Sequence, residues 1–195
     1  MEITDNEMRL VLLLFKSPEI EYNANSMAKK LGLSSMGALK IARRLENEGI
    51  IRAKEKGQAR FYTLNLANGY VRQYIRFLLK REAEQSHGYI KRWVHDLRNL
   101  KNADCGILFG SLLKKGKNAG DVDVLLITDN IKFSRLKQEI EKINTLNIKK
   151  LHPMFQTRED IKDNIKKEDK PLLNALKGVV VFGEDVLIEA LNEPG

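Results

Sequence analysis

Apolar positions recur at helical spacing through the first part of the chain. Met8, Val11, Leu12 and Phe15 follow Thr4-x-x-Glu7, a pairing in which two side chains reciprocally satisfy free backbone N–H groups at a helix start. This predicts a helix over about 5–16, ended by Ser17-Pro18. Ala28 and Leu31 mark a second helix over about 25–31, closed by Gly32. Ser34 stands where it caps a third, over about 35–48, with Ala38, Ile41, Ala42 and Leu45 inward and Gly49 after it. The pattern then turns to strands. Ile50-Ile51-Arg52 and Arg60-Phe61-Tyr62-Thr63-Leu64 flank Lys54-Glu55-Lys56-Gly57-Gln58, which reads as a hairpin.

Helical spacing returns with Tyr70, Tyr74, Phe77 and Leu78, then Ile90, Trp93, Val94 and Leu97. Gln85-Ser86-His87-Gly88 is the break between the two helices. Such helices either make a homodimer interface or pack on the second half of the chain, and both readings stand. Beyond residue 100 short apolar runs alternate with helical patterns. Strands are predicted at 107–109, 121–127, 147–156 and 178–183, with Pro153 holding the third to a sheet edge. Between them lie a helix bearing Phe133, Leu136, Ile140 and Ile143, capped by Asp129 or Asn130; one capped by Thr157 and Asp160; and one over about 170–177. The fold class is therefore α+β, in three segments: 1–66 with three helices and a hairpin, 67–100 as a helical connector, and 101–195 with a mixed sheet.

Charge adds a partner. The net charge is +8, and it is uneven: residues 1–100 carry 18 Lys and Arg against 11 Asp and Glu, whereas residues 101–195 carry 16 against 15. A basic excess confined to the first half points to a polyanion partner for that half. The one cysteine, Cys105, excludes an internal disulfide and a cysteine zinc cluster, and its apolar neighbours make it a core residue. The acidic N-terminus and the short apolar run Val11–Phe15 predict neither a signal peptide nor a membrane span, hence a cytoplasmic protein. His87 and His95 have no partner at ligand spacing, and Trp93 is a packing anchor.

Two stretches carry candidate chemistry. In the first, the exposed side of the third helix offers Ser35, Met36, Gly37, Leu39, Lys40 and Arg43, and the hairpin offers Lys54, Lys56 and Arg60. The run LGLSSMGALKIARRLENEGIIRAKEKGQARFYTLN is similar to winged helix-turn-helix transcription regulators. The resemblance implies that the third helix enters the major groove, while the wing lysines and arginine meet phosphate or a minor groove. Met36, Gly37 and Leu39 present no hydrogen bonds to base edges, so a weak or shape-based sequence preference is expected. A wing used for protein contacts is the alternative.

The second stretch is CGILFGSLLKKGKNAGDVDVLLIT, residues 105–128. An apolar strand runs into Gly110-Ser111; nine residues later Asp121-x-Asp123 leads a second apolar strand. Residues i and i+2 of a strand share a face, so the two carboxylates crowd unless a cation neutralises them, and Mg²⁺ prefers such oxygens. Gly110 lets backbone approach a ligand, and Ser111 supplies a hydroxyl and an N–H at a helix start. This pattern resembles the signature of minimal nucleotidyltransferases of the DNA polymerase β-like superfamily, over roughly residues 100–185. The resemblance implies that Asp121 and Asp123 are catalytic and hold Mg²⁺, and that Gly110 and Ser111 meet the triphosphate of ATP or another nucleotide. Lys114 stands to meet phosphate as a point charge. It also implies a small helical protein partner of toxin–antitoxin type.

The chain departs from the superfamily at the third strand, where active members carry a third carboxylate. None occurs between Glu141 and Glu159; the matching position falls near Leu151 to Pro153, with His152 the nearest titratable residue. Two functions are compatible with this pattern. One is a nucleotidyltransferase that moves a nucleoside monophosphate from a triphosphate to a hydroxyl acceptor, coupled to DNA binding. The alternative is a catalytically weak or inactive, nucleotide-sensing DNA-binding regulator.

Overall fold

A computed structural model describes residues 3–192. The chain divides into two compact units, Met1–Leu78 and Leu79–Gly195. The outer ends of the first and third expected segments, residues 1–2 and 193–195, lie outside the described residues.

In the first unit, helix α1 (Asp5–Lys16) starts at Thr4, and both halves of the Thr4–Glu7 capping pair form. Such a cap contributes about 1 kcal/mol. The apolar face of α1 buries Leu10, Val11, Leu14 and Phe15; each such side chain removed from water contributes about 1.5–3 kcal/mol. Strand β1 (Tyr22–Asn23) leads into helix α2 (Ala24–Leu31), where Asn23 and Ser26 form a second reciprocal cap. Helix α3 (Ser35–Asn47) begins at Ser34, whose hydroxyl accepts from the Gly37 N–H at 3.0 Å, and it buries Ala38, Ala42 and Leu45. Strands β2 (Ile51–Lys56) and β3 (Ala59–Leu64) pair antiparallel from Ile51↔Leu64 to Lys56↔Ala59, and β1 adds to β3. Three helices followed by a β-hairpin, with a short strand completing a three-stranded sheet, is the winged helix-turn-helix architecture.

Glu7 has a second task in this unit. Its side chain is 2% exposed. It accepts from the Thr4 N–H and hydroxyl, both at 2.9 Å, and pairs with the Arg44 guanidinium of α3. Helix α4 (Gly69–Glu84) contains the boundary between the units, so the expected connector is divided between them.

In the second unit, helix α5 (Gly88–Leu97) precedes strand β4 (Cys105–Phe109). Then come the single turn α6 (Leu112–Lys115), a 3-10 turn at Gly116–Asn118, and strand β5 (Val122–Ile127). Helix α7 (Phe133–Leu146), strand β6 (Leu151–Gln156), helices α8 (Arg158–Lys166) and α9 (Lys170–Leu176), strand β7 (Val179–Phe182) and helix α10 (Glu184–Asn192) complete it. The sheet order is β6-β5-β4-β7. β4 is antiparallel to β5 and to β7, and β5 is parallel to β6, so the sheet is mixed. The central strands are buried on both faces: Ile107, Leu108, Val124, Leu125 and Leu126 are fully enclosed, as their continuous apolar runs require. Trp93, Val94 and Leu97 of α5 belong to the same core.

The structure corrects the sequence reading in four places. The third strand of this unit starts at Leu151 rather than 147, because the Asn147 side chain and the Asn144 side chain are spent on the end of α7 and the start of β6. Helix α7 is capped by neither Asp129 nor Asn130. Asp129 instead accepts from the Lys132 N–H at 2.8 Å in a turn, and the helix begins one residue later. β1 is two residues long and leaves no periodic trace. Helix α10 has no counterpart among the predicted elements; its apolar positions Leu187 and Ile188 are too few to set a period.

Candidate functional site

Each unit presents one candidate surface. In the first, α3 turns Ala38, Ala42 and Leu45 inward, which leaves Ser35, Met36, Lys40 and Arg43 exposed; Met36 is 73% exposed. Met36, Lys40 and Arg43 succeed one another at spacings of four and three, so they share one helix face. Gly37 and Leu39 are half-buried. On the wing, Lys54 and Lys56 lie two apart on β2 and share its outer face. Arg60 does not join them. Its cross-strand partner is Glu55, which puts it on the opposite face, where it bonds Glu46 of α3 at 2.8 Å. Arg60 therefore braces the wing against α3. Lys56 is paired with Glu21. Lys40, Arg43 and Lys54 have no ion-pair partner among the described residues. Arg52 is a further wing cation that the sequence pattern did not single out. It is exposed and shares the face of Lys54 and Lys56, which strand alternation alone could have revealed.

In the second unit, β4 ends at Phe109 and the chain turns at Gly110, whose φ of +77° is left-handed. A Cβ on Gly110 would lie 1.9 Å from Oδ2 of Asp123. A side chain here would strain the left-handed backbone and push the Asp123 carboxylate aside, so both favour glycine. Asp123 pairs with Phe109 on one side and His152 on the other. Asp121 stands immediately before β5, two residues from Asp123, and its Oδ2 lies 3.4 Å from His152 Nδ1. One ligand atom from each of Asp121, Asp123 and His152 lies within 4.8 Å of the other two. The parallel register of β5 and β6 sets His152 beside Asp123, within the Leu151 to Pro153 stretch that carries no carboxylate.

A pocket of about 450 Å³ opens beside this cluster, lined by Gly110, Ser111 and Lys114 together with Lys115, Asn174, Lys177 and Gly178. Gly110 is the hinge between them, since it lines the pocket and abuts Asp123. The aspartates themselves do not line it. Ser111 makes no side-chain cap bond, and its carbonyl accepts from the Lys114 and Lys115 N–H groups. Its helix is one turn long, so the expected phosphate-binding helix start is reduced to a tight turn. At Gly178 a Cβ would lie 2.3 Å from the Leu108 carbonyl oxygen, which is how the chain after α9 reaches the pocket wall. Asn174 and Lys177 come from far along the chain and no motif marks them.

The fit to the expected Mg²⁺ is partial. Two carboxylates supply the hard oxygens that a divalent cation takes, and the missing Cβ of Gly110 leaves Asp123 free to approach one. The third donor, an imidazole, does not suit Mg²⁺. His87 and His95 join no such group among the described residues. Cys105 is fully buried, and burial, with the Glu184 and Asp104 charges, pushes its thiol pKa far up; it is a core residue. Among the described residues no helix is long and apolar enough to cross a membrane.

No protein-family model matches the chain, and no curated protein matches it. Solved structures do. Reduced HlyU from Vibrio cholerae is 19% identical, with 40% of this chain and 76% of that one covered at a TM-score of 0.34. A protein described as a predicted DNA-binding transcriptional regulator from E. coli is 26% identical, covering 36% of this chain and 72% of its own, TM-score 0.30. MepR, a transcription regulator of the Staphylococcus aureus multidrug efflux pump MepA, is 16% identical over 50% of this chain and 76% of its own, TM-score 0.36. The reading of both surfaces rests on their own geometry.

Proposed function

We propose that this chain is a winged-helix DNA-binding regulator whose second unit binds a divalent cation and a nucleotide as its signal. The observation that carries the reading is the exposed face of α3, where Lys40 and Arg43 stand beside Met36 with no carboxylate to neutralise them among the described residues. Two cations on a groove-sized helix, with Lys54 and Arg52 on the wing, suit phosphate backbones on either side of a major groove. Half-buried Gly37 and Leu39 give this helix little hydrogen-bonding capacity toward bases, so it reads shape.

In the second unit Asp121 and Asp123 would hold the cation, and Ser111, Lys114 and the Gly110 backbone would take the phosphates of ATP or another nucleoside triphosphate. The cation would supply charge neutralisation between carboxylate and phosphate oxygens. The transferase reading keeps one specific support, the close approach of Gly110, which lines the pocket, to Asp123. Against it stands His152 in place of a third carboxylate. Loss of a general base slows such a step by about 10²–10⁴-fold. Signal binding without efficient transfer is the reading this donor set favours.

The test is DNA affinity of the full chain measured by fluorescence anisotropy with and without ATP and a divalent cation. A change in affinity on adding both supports the signal role. In parallel, α-labelled ATP and cell extract test transfer; label joined to a macromolecule only when Asp121 and Asp123 are intact would restore the enzyme reading.

A further inference from the structure

We infer that Asp121, Asp123 and His152 form a single-ion site selective for a first-row transition cation, Mn²⁺ to Zn²⁺, over Mg²⁺, with His152 as a direct ligand. The inference rests on the metal reading of the two aspartates and adds the identity of the ion.

Three observations support it. The first is chemical. Imidazole nitrogen suits first-row transition ions, whereas Mg²⁺ takes oxygen and sheds its water reluctantly. A third carboxylate would leave Mg²⁺ competitive; an imidazole at the same register position does not.

The second is geometric. His152 Nδ1 and Asp121 Oδ2 are 3.4 Å apart. That exceeds the span of a good N–H···O hydrogen bond, about 2.7–3.2 Å. It matches the edge between two ligands of one ion held at about 2.0–2.2 Å. Asp123, the cross-strand neighbour of His152, brings a third donor within the same 4.8 Å. Asp123 and His152 are held side by side by the β5–β6 register and Asp121 stands one residue before β5, so the backbone brings the three donors to one neighbourhood.

The third is charge. Two carboxylates and a neutral imidazole carry about two negative charges, which one divalent ion cancels. In the absence of nucleotide a second cation would find no anionic ligand left among the three residues, so the nucleotide-free site holds one ion where a triple-carboxylate site can hold two.

Mn²⁺ is the probe. The full chain, freed of metal by chelator and dialysis, is titrated with Mn²⁺ and followed by electron paramagnetic resonance, and the bound ion is then competed with Mg²⁺ and with Zn²⁺. One Mn²⁺ per chain is expected, with direct nitrogen coupling in the pulsed spectrum. In His152→Ala the nitrogen coupling disappears and Mn²⁺ binding weakens about tenfold or more. In His152→Asp binding persists without nitrogen coupling, and the concentration ratio of Mg²⁺ to Mn²⁺ needed for displacement falls by about tenfold or more. His152 is exposed, and circular dichroism checks that both variants fold. Unchanged Mn²⁺ affinity and nitrogen coupling in His152→Ala, or an unchanged Mg²⁺ ratio in His152→Asp, overturns the assignment of His152. Mn²⁺ binding that survives Asp121→Asn with Asp123→Asn overturns the underlying metal reading instead, so the two failures are distinct.

Discussion

Gly110 and Asp123 face each other so closely that a single added methyl carbon on the glycine would fall 1.9 Å from the carboxylate oxygen. The left-handed backbone at Gly110, φ +77°, makes this contact possible: it bends the chain away from β4 and aims Ser111 into the pocket. Gly110→Ala should therefore cost twice. The left-handed conformation alone costs an L-residue roughly 1–2 kcal/mol, and Asp123 must also swing out of the cluster. The expected outcome is a lower melting temperature together with loss of cation-dependent ATP binding in calorimetric titration.

Asp121 and Asp123 are expected to be a functional rather than a stabilising pair. Two like charges held two residues apart at the start of β5 repel when no cation lies between them. Asp121→Asn with Asp123→Asn should abolish cation-dependent nucleotide binding. In chelator, the variant should melt no lower than the parent, and stabilisation by about 0.5 kcal/mol is expected from relief of that repulsion. Thermal melts with and without cation check both halves of the expectation.

Glu7 ties the first helix to the third. Its carboxylate is enclosed and depends on Thr4 and on Arg44. Replacing Arg44 by Leu leaves a buried charge with half its partners, and a destabilisation of about 1–3 kcal/mol is expected. It is discounted from the fully buried case because the Arg44 side chain is 41% exposed. Glu7→Gln in the same background removes the stranded charge and should recover part of the loss. Urea unfolding followed by circular dichroism reads both.

Tyr74 gives the first unit an alkaline limit. Burial, reinforced by the Glu7, Glu48 and Tyr70 charges, pushes its pKa from 10.0 to about 12, with Arg44 opposing. The folded-state value is raised, so the associated stability is fully present below pH 10 and is lost as pH rises through about 12. A phenolate absorbance titration should show a late component near pH 12 that is absent in Tyr74→Phe, and that variant should lose less stability between pH 10 and 12.

The helices of the first unit were legible because their caps are local. Thr4 with Glu7, and Ser34 before α3, bond within three residues. Gly110-Ser111 and Asp121-x-Asp123 were legible for the same reason. Their meeting with His152 was not, because it depends on a parallel register between β5 and β6, set by the whole unit. The sequence pattern lacked a carboxylate near Leu151–Pro153, and the register places His152 of that stretch opposite Asp123. Asn174 and Lys177 reach the pocket through the close packing at Gly178, which no sequence period reports. Arg60 shows the opposite error: counted with the wing cations by type, it sits on the other face of the hairpin because cross-strand pairing puts it opposite Glu55.

The central claim is that α3 carries a DNA-binding face. The most direct measurement is selection of duplex DNA from a random pool by the full chain, followed by affinity across a salt series for wild type and for Lys40→Glu with Arg43→Glu. The account predicts an enriched set of duplexes, affinity that falls steeply with salt, and in the double variant both a loss of affinity and a salt slope shallower by about 1 for each phosphate contact removed. DNA bound equally by wild type and double variant, or by neither at low salt, would contradict it.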